Sequence, residues 1–145
     1  MPRSLYVLAS CALAVPCLAA VAEVPKATHA VTVLKTGVSW DGSALRYPSG
    51  RAEVTGITVE IAPGRQTGWH LHHAPSFGYL VSSTLDVHLK DGRIKHMSAG
   101  DTIAEVVGTL HNGINTGTTP AKLVVFYAGV EGQTLTSSPD GAPPM

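Results

Sequence analysis

The chain has 145 residues, a formal net charge of zero, 14% charged residues, 15 glycines and 10 prolines. That length fits one domain able to bury a core without staples. Zero net charge gives no electrostatic case for nucleic acid or an anionic membrane surface, and so many turn residues suit short strands.

The first segment reads as a leader. Arg3 gives a positive start, Leu5–Ala22 is almost wholly apolar, and Ala20-Val21-Ala22 offers a small-x-small cleavage site. This is the pattern of a secretory signal peptide over 1–22. Pro16 and the small residues at its end argue against an anchor helix. Leu8-Ala9-Ser10-Cys11 resembles a lipoprotein box, but the apolar run continues past Cys11, so simple cleavage is expected. The expectation is a periplasmic or secreted single domain over 23–145, with no membrane contact after cleavage. Cys11 and Cys17 are the only cysteines. The mature chain therefore has no disulfide and no thiolate nucleophile or ligand.

After a loose start at Glu23–His29, the β-branched run Ala30–Leu34 predicts a strand. Lys35–Pro48 is a loop whose Trp40, Leu45 and Tyr47 must pack over something, either the barrel mouth or a partner subunit. Such apolar surface predicts a homodimer. Ala52–Ile61 alternates, with Thr55, Ile57, Val59 and Ile61 on one face, and predicts a half-buried strand. Pro63-Gly64 turns the chain. Thr67–His72 is the next predicted strand, broken by His73-Ala74-Pro75 and resumed at Phe77–Val81.

Thr84–Lys90 alternates with Leu85, Val87 and Leu89 facing in. Asp91-Gly92 is a hairpin turn signal, and Arg93–Met97 returns. Thr102–Val106, Leu110–Asn115 and Ala121–Tyr127 are the remaining predicted strands, and the polar Glu131–Met145 reads as a trailing tail. No segment sustains a helical period. The pattern predicts an all-β antiparallel sandwich or barrel.

His70 and His72 are two apart, so on a strand both imidazoles face one way. With His111 they are the candidate metal ligands. Three imidazoles favour a divalent transition metal (Fe, Mn, Zn, Ni or Cu) over hard cations. Glu105 is the candidate fourth group. It faces inward if Ile103 does and outward otherwise, and parity alone leaves both open. His73 follows His72 directly and should face away unless Ala74-Pro75 forces a bulge. Counting by twos from Ser76 along the ligand face gives Gly78, which either clears space or marks a close backbone approach. His29, His88, His96 and Asn115 are read as non-ligands.

Two stretches carry a family resemblance. Gly64, His70, Leu71 and His72 match the start of a motif G-x5-H-x-H-x3/4-E-x6-G, with Ser76 at the glutamate's place and Ser83 at the last glycine's. Gly100, Gly108, His111 and Asn115 match G-x5-P-x-G-x2-H-x3-N, with Val106 at the proline's place. The paired motifs, over about Val54 to Tyr127, resemble those of the cupin superfamily. The resemblance implies a small jelly-roll barrel with the motif residues at its open end. It also implies a metal on His70, His72 and His111, with the family's fourth ligand missing at Ser76. The implied function is small-molecule handling at that metal, by dioxygenase-like oxidation or isomerisation of an oxygenated substrate. The other reading is a non-catalytic protein that holds a metal or a small ligand.

Overall fold

The computed structural model describes residues 28–139; the expected leader and residues 140–145 lie outside them. Residues 32–139 belong to one compact unit that carries every strand among the described residues. In chain order these are β1 (Ala52–Ile61), β2 (Leu71–His72), β3 (Ser76–Ser82), β4 (Thr84–Leu89), β5 (Ile94–Ser98), β6 (Thr102–Ala104), β7 (His111–Asn115), β8 (Ala121–Val130) and β9 (Thr136–Ser137). A four-stranded sheet runs β1-β8-β3-β6, a three-stranded sheet runs β5-β4-β7, and β2 pairs with β9. All these pairings are antiparallel. The described residues contain no helix. The result is an all-β jelly-roll barrel.

Alternation builds the interior. Leu85, Val87 and Leu89 of β4 are buried, as are Ala121, Leu123, Val125 and Tyr127 of β8. Three cross-strand rows line the inner face of the larger sheet. Val59, Leu123 and Leu80 form the first, and Ile57, Val125, Gly78 and Ile103 the second. Thr55, Tyr127 and Ser76 form the third, extended by Glu105, whose N–H donates to the Ser76 carbonyl at 2.9 Å. The face thus runs from apolar to polar along the strands. Gly78 sits where a Cβ would lie 3.0 Å from Ile103 Cγ2, so close packing and an open interior both need glycine there.

Four expectations need correction. Ala30–Leu34 forms no strand. Among the described residues it is tied by one hydrogen bond, from Thr102 Oγ1 to the Val33 carbonyl at 2.6 Å. A β-branched run becomes a strand only where a ladder is available to pair it. Of Thr67–His72, only Leu71–His72 is strand, because Gly68 has a φ of +80° and bends the chain. Strand β6 stops at Ala104, short of the expected Val106. The expected tail is not wholly a tail, since Thr136–Ser137 pairs with Leu71–His72. A two-residue strand is too short for any periodic signal.

The Lys35–Pro48 loop covers its own barrel. The Trp40 N–H donates to the Ala104 carbonyl at 3.0 Å and Ser39 Oγ to the Glu105 carbonyl at 2.9 Å. Trp40 packs on the core, while Tyr47 stays 71% exposed.

Candidate metal centre

Three elements bring the histidines together. His70 lies just before β2 and bridges His111, the first residue of β7, through reciprocal backbone bonds of 2.9 and 3.0 Å. His72 ends β2, which β9 holds from the other side. All three side chains are buried, with ring centroids 4.3 to 5.1 Å apart. One nitrogen from each lies within 4.8 Å of the others.

The outer nitrogens are tied down. His70 Nδ1 donates to the Gly68 carbonyl at 2.8 Å and His111 Nδ1 to the Thr109 carbonyl at 3.0 Å. A carbonyl can only accept, so these two rings carry their proton on Nδ1 and leave Nε2 bare. His72 Nδ1 instead meets Thr136 Oγ1 at 3.2 Å. The inner nitrogens of His72 and His111 approach to 3.2 Å.

Burial sets the charge state. It lowers the pKa of His70, with His111 adding to the effect, and it lowers His111 too. It drives His72 to about 2, aided by the other imidazoles. All three are neutral at physiological pH, the form a metal requires. Neutral imidazoles, oriented from behind and converging in front, fit a divalent transition metal.

Glu105 faces inward. One carboxylate oxygen lies 3.9 Å from His111 Nε2 and has no hydrogen-bond partner among the described residues. Burial raises its pKa to about 7, against a smaller opposing pull from His70. This is no ion pair, because burial disfavours both charges. The Trp40 indole N–H is near enough to favour the anion but makes no hydrogen bond. Glu105 is not in the compact donor set of the three histidines. It stands beside that set, directly across the ladder from Ser76, whose hydroxyl is also buried and unpartnered.

The histidines and Glu105 open onto a cavity of about 40 Å³ whose other walls include Val59, Leu85, Val87, Ile103 and Leu123. That is room for one or two waters' worth of atoms. His73 is outside the site: it is exposed, and its Nε2 meets Ser137 Oγ at 2.9 Å. His96 pairs with Asp86 on the exterior. Asn115 is structural, donating from Nδ2 to the Ile61 and Thr119 carbonyls at 2.8 Å. Thr136, which holds His72, escaped the sequence reading. It sits in a polar stretch after Gly132 with nothing in its pattern to mark it.

Fold and donor set together define a small β-barrel with a three-histidine centre. A family model described as a cupin domain matches residues 57–127, and the chain belongs to the cupin superfamily. An uncharacterised conserved protein with a double-stranded beta-helix domain from Klebsiella pneumoniae is 21% identical, with a TM-score of 0.51 over 65% of this chain and 91% of that one. Oxalate decarboxylase from Lactobacillus farciminis, solved as a formate complex, is 21% identical, with a TM-score of 0.53 over 60% of this chain. A DMSP lyase from Ruegeria pomeroyi is 16% identical, with a TM-score of 0.52 over 62% of this chain. The match spans only 27% of the decarboxylase and 45% of the lyase. At these identities the likeness is one of fold. No curated protein matches the chain significantly.

Proposed function

We propose that His70, His72 and His111 hold one divalent transition metal, and that a small oxygen-bearing molecule binds on its open side. The observation that carries this is the convergence of three neutral imidazoles, each tied at Nδ1, on one side of an apolar cavity. Three ligands on one side leave positions free for substrate. The metal would supply Lewis-acid polarisation of a substrate oxygen and, if redox-active, electron transfer. Among the chain's own groups, Glu105 adds a nearby carboxyl that balances cationic charge, and the apolar walls exclude water. The reactions that suit this site are dioxygenase-like oxidation and isomerisation.

A second reading, a protein that holds metal without turnover, is favoured by the small size of the cavity. Oxygen uptake together with product analysis, over a panel of catechols, diketones and flavonols, separates the two.

The metal itself is tested by elemental analysis of protein purified without an affinity tag. Near-stoichiometric metal is expected in the wild type and in His88→Ala, whose side chain lies on β4 away from the site. His111→Ala leaves two ligands and is expected to lose on the order of 100-fold in affinity, at least the upper range for groups that only support a ligand. Full occupancy in His111→Ala would sink the proposal.

A further inference from the structure

We propose that Thr136 is a positioning residue that lets His72 exchange one tautomer for the other, so that its Nε2 can serve a metal. This rests on the three-histidine reading above.

The argument starts from the 3.2 Å contact between the inner nitrogens of His72 and His111. Two bare lone pairs repel at that distance, so the contact needs a proton or a cation between them. His111 is 2% exposed, where a second ring proton would bury an unpaired cation, so its one proton points at the Thr109 carbonyl. A proton in the contact therefore belongs to His72 Nε2. His72, 4% exposed, is held to one ring proton for the same reason, so its Nδ1 is then bare and must accept from Thr136 Oγ1, 3.2 Å away.

A cation in the contact reverses each role. His72 Nε2 must be bare to bind it, so its proton moves to Nδ1. Thr136 Oγ1 must then accept, and its own hydrogen needs another acceptor. Tyr127 supplies one, with its phenol oxygen 3.4 Å from Thr136 Oγ1. The ring gives its Nε2 proton to water and takes one from water on Nδ1, so no net proton is gained or lost and its charge never changes. Tyr127 keeps its proton throughout. Only the threonine hydroxyl rotates.

Thr67 Oγ1 lies 3.5 Å from His70 Nδ1, but the nearer Gly68 carbonyl at 2.8 Å takes that ring's proton. The carbonyls of Gly68 and Thr109 lock His70 and His111 in the metal-ready tautomer. A hydroxyl both donates and accepts, and Thr136 places one behind the single ring that has two roles to fill. The surroundings hold it there: Thr136 is 7% exposed, pairs in register with His72, and the His73 N–H donates to the Leu135 carbonyl at 2.9 Å.

The test uses zinc with the full chain and ¹⁵N-labelled histidine, whose ring nitrogens report the proton's position by NMR. In the wild type, His72 should carry its proton on Nε2 in chelator and on Nδ1 after zinc, while His70 and His111 stay on Nδ1 throughout. Thr136→Val keeps the shape without the hydroxyl, and should weaken zinc binding about tenfold. Thr136→Ser restores the hydroxyl and should return to within about twofold of wild type, which a purely steric role would not explain. The inference falls if His72 keeps one tautomer with and without zinc, a readout that needs no variant to fold. It also falls if Thr136→Val binds zinc like wild type while His111→Ala does not, and the metal reading then stands alone. If the wild type takes up no zinc or other divalent metal, both fall together.

Discussion

Two rows of the same sheet face the same cavity and differ in almost everything. Val59, Leu123 and Leu80 are apolar, and Leu80 has no exposed surface. Two positions along each strand the second row intervenes, and two further stand Thr55, Tyr127, Ser76 and Glu105. In this polar row Ser76 Oγ and one Glu105 oxygen are buried without a partner. Unpaired buried polar groups cost stability, and packed aliphatic ones supply it. The barrel thus separates the side that holds it together from the side available for chemistry, with about 7 Å of strand for each two-residue step.

The sharpest way to break that separation is at Leu80. Leu80→Ala empties a fully enclosed position and should cost about 3 kcal/mol of unfolding free energy. Metal per folded chain should stay unchanged. Urea denaturation in chelator measures the first and elemental analysis the second. A loss below about 1 kcal/mol would show that the apolar row is not the main support.

The comparison also explains what could be read from sequence. Alternation in Ala52–Ile61 and Thr84–Lys90 is a period-two signal several residues long; the first strand appears over those residues and the second over Thr84–Leu89, one residue shorter. The motif spacing brought His70, His72 and His111 to one place although they sit on different elements. Parity from Ile103 left Glu105 open, and the fold settles it inward: Ile103, Ala104, Glu105 and Val106 are all buried, because the Trp40 loop covers the other side. Thr136 and the unpaired Ala30–Leu34 were illegible for one reason. Both depend on whether a distant segment offers a ladder, and no local pattern encodes that.

A second, smaller perturbation moves charge within the polar row. Glu105→Gln keeps the shape and removes the carboxylate, and should weaken zinc binding about tenfold. Ser76 lies directly across the ladder from Glu105, and such pairs have their Cβ atoms about 5 Å apart on one face. Adding Ser76→Glu to Glu105→Gln returns a carboxylate to the same row from the opposite strand, and should recover most of the loss. Zinc titration of the three proteins, each checked for a normal melt, decides it. Failure of the double variant to recover would mean that Glu105 acts through its specific geometry rather than its charge.

The smallest effect concerns protons alone, with zinc removed by chelator. Glu105 has a folded pKa of about 7 against 4.5 for the free group, so between those values the folded state binds the proton more tightly than the unfolded one. Stability from this group is therefore full below about pH 4.5 and is lost as pH rises toward 7. The histidines act with the opposite sign. Burial lowers their pKa values from 6.5, so the unfolded chain takes up protons first as pH falls, and stability drops below about 6.5. The wild type sums both trends and should show a shallow profile in this range. Glu105→Gln removes only the first, because an amide does not titrate. Its stability relative to wild type should climb between pH 5 and about 7, then level off. Thermal melts across that range test the sign, and a constant offset between the two proteins would place the Glu105 carboxyl in water rather than in the barrel. Zinc should reverse the ranking at pH 8, since the anion that burial penalises is the one a cation attracts.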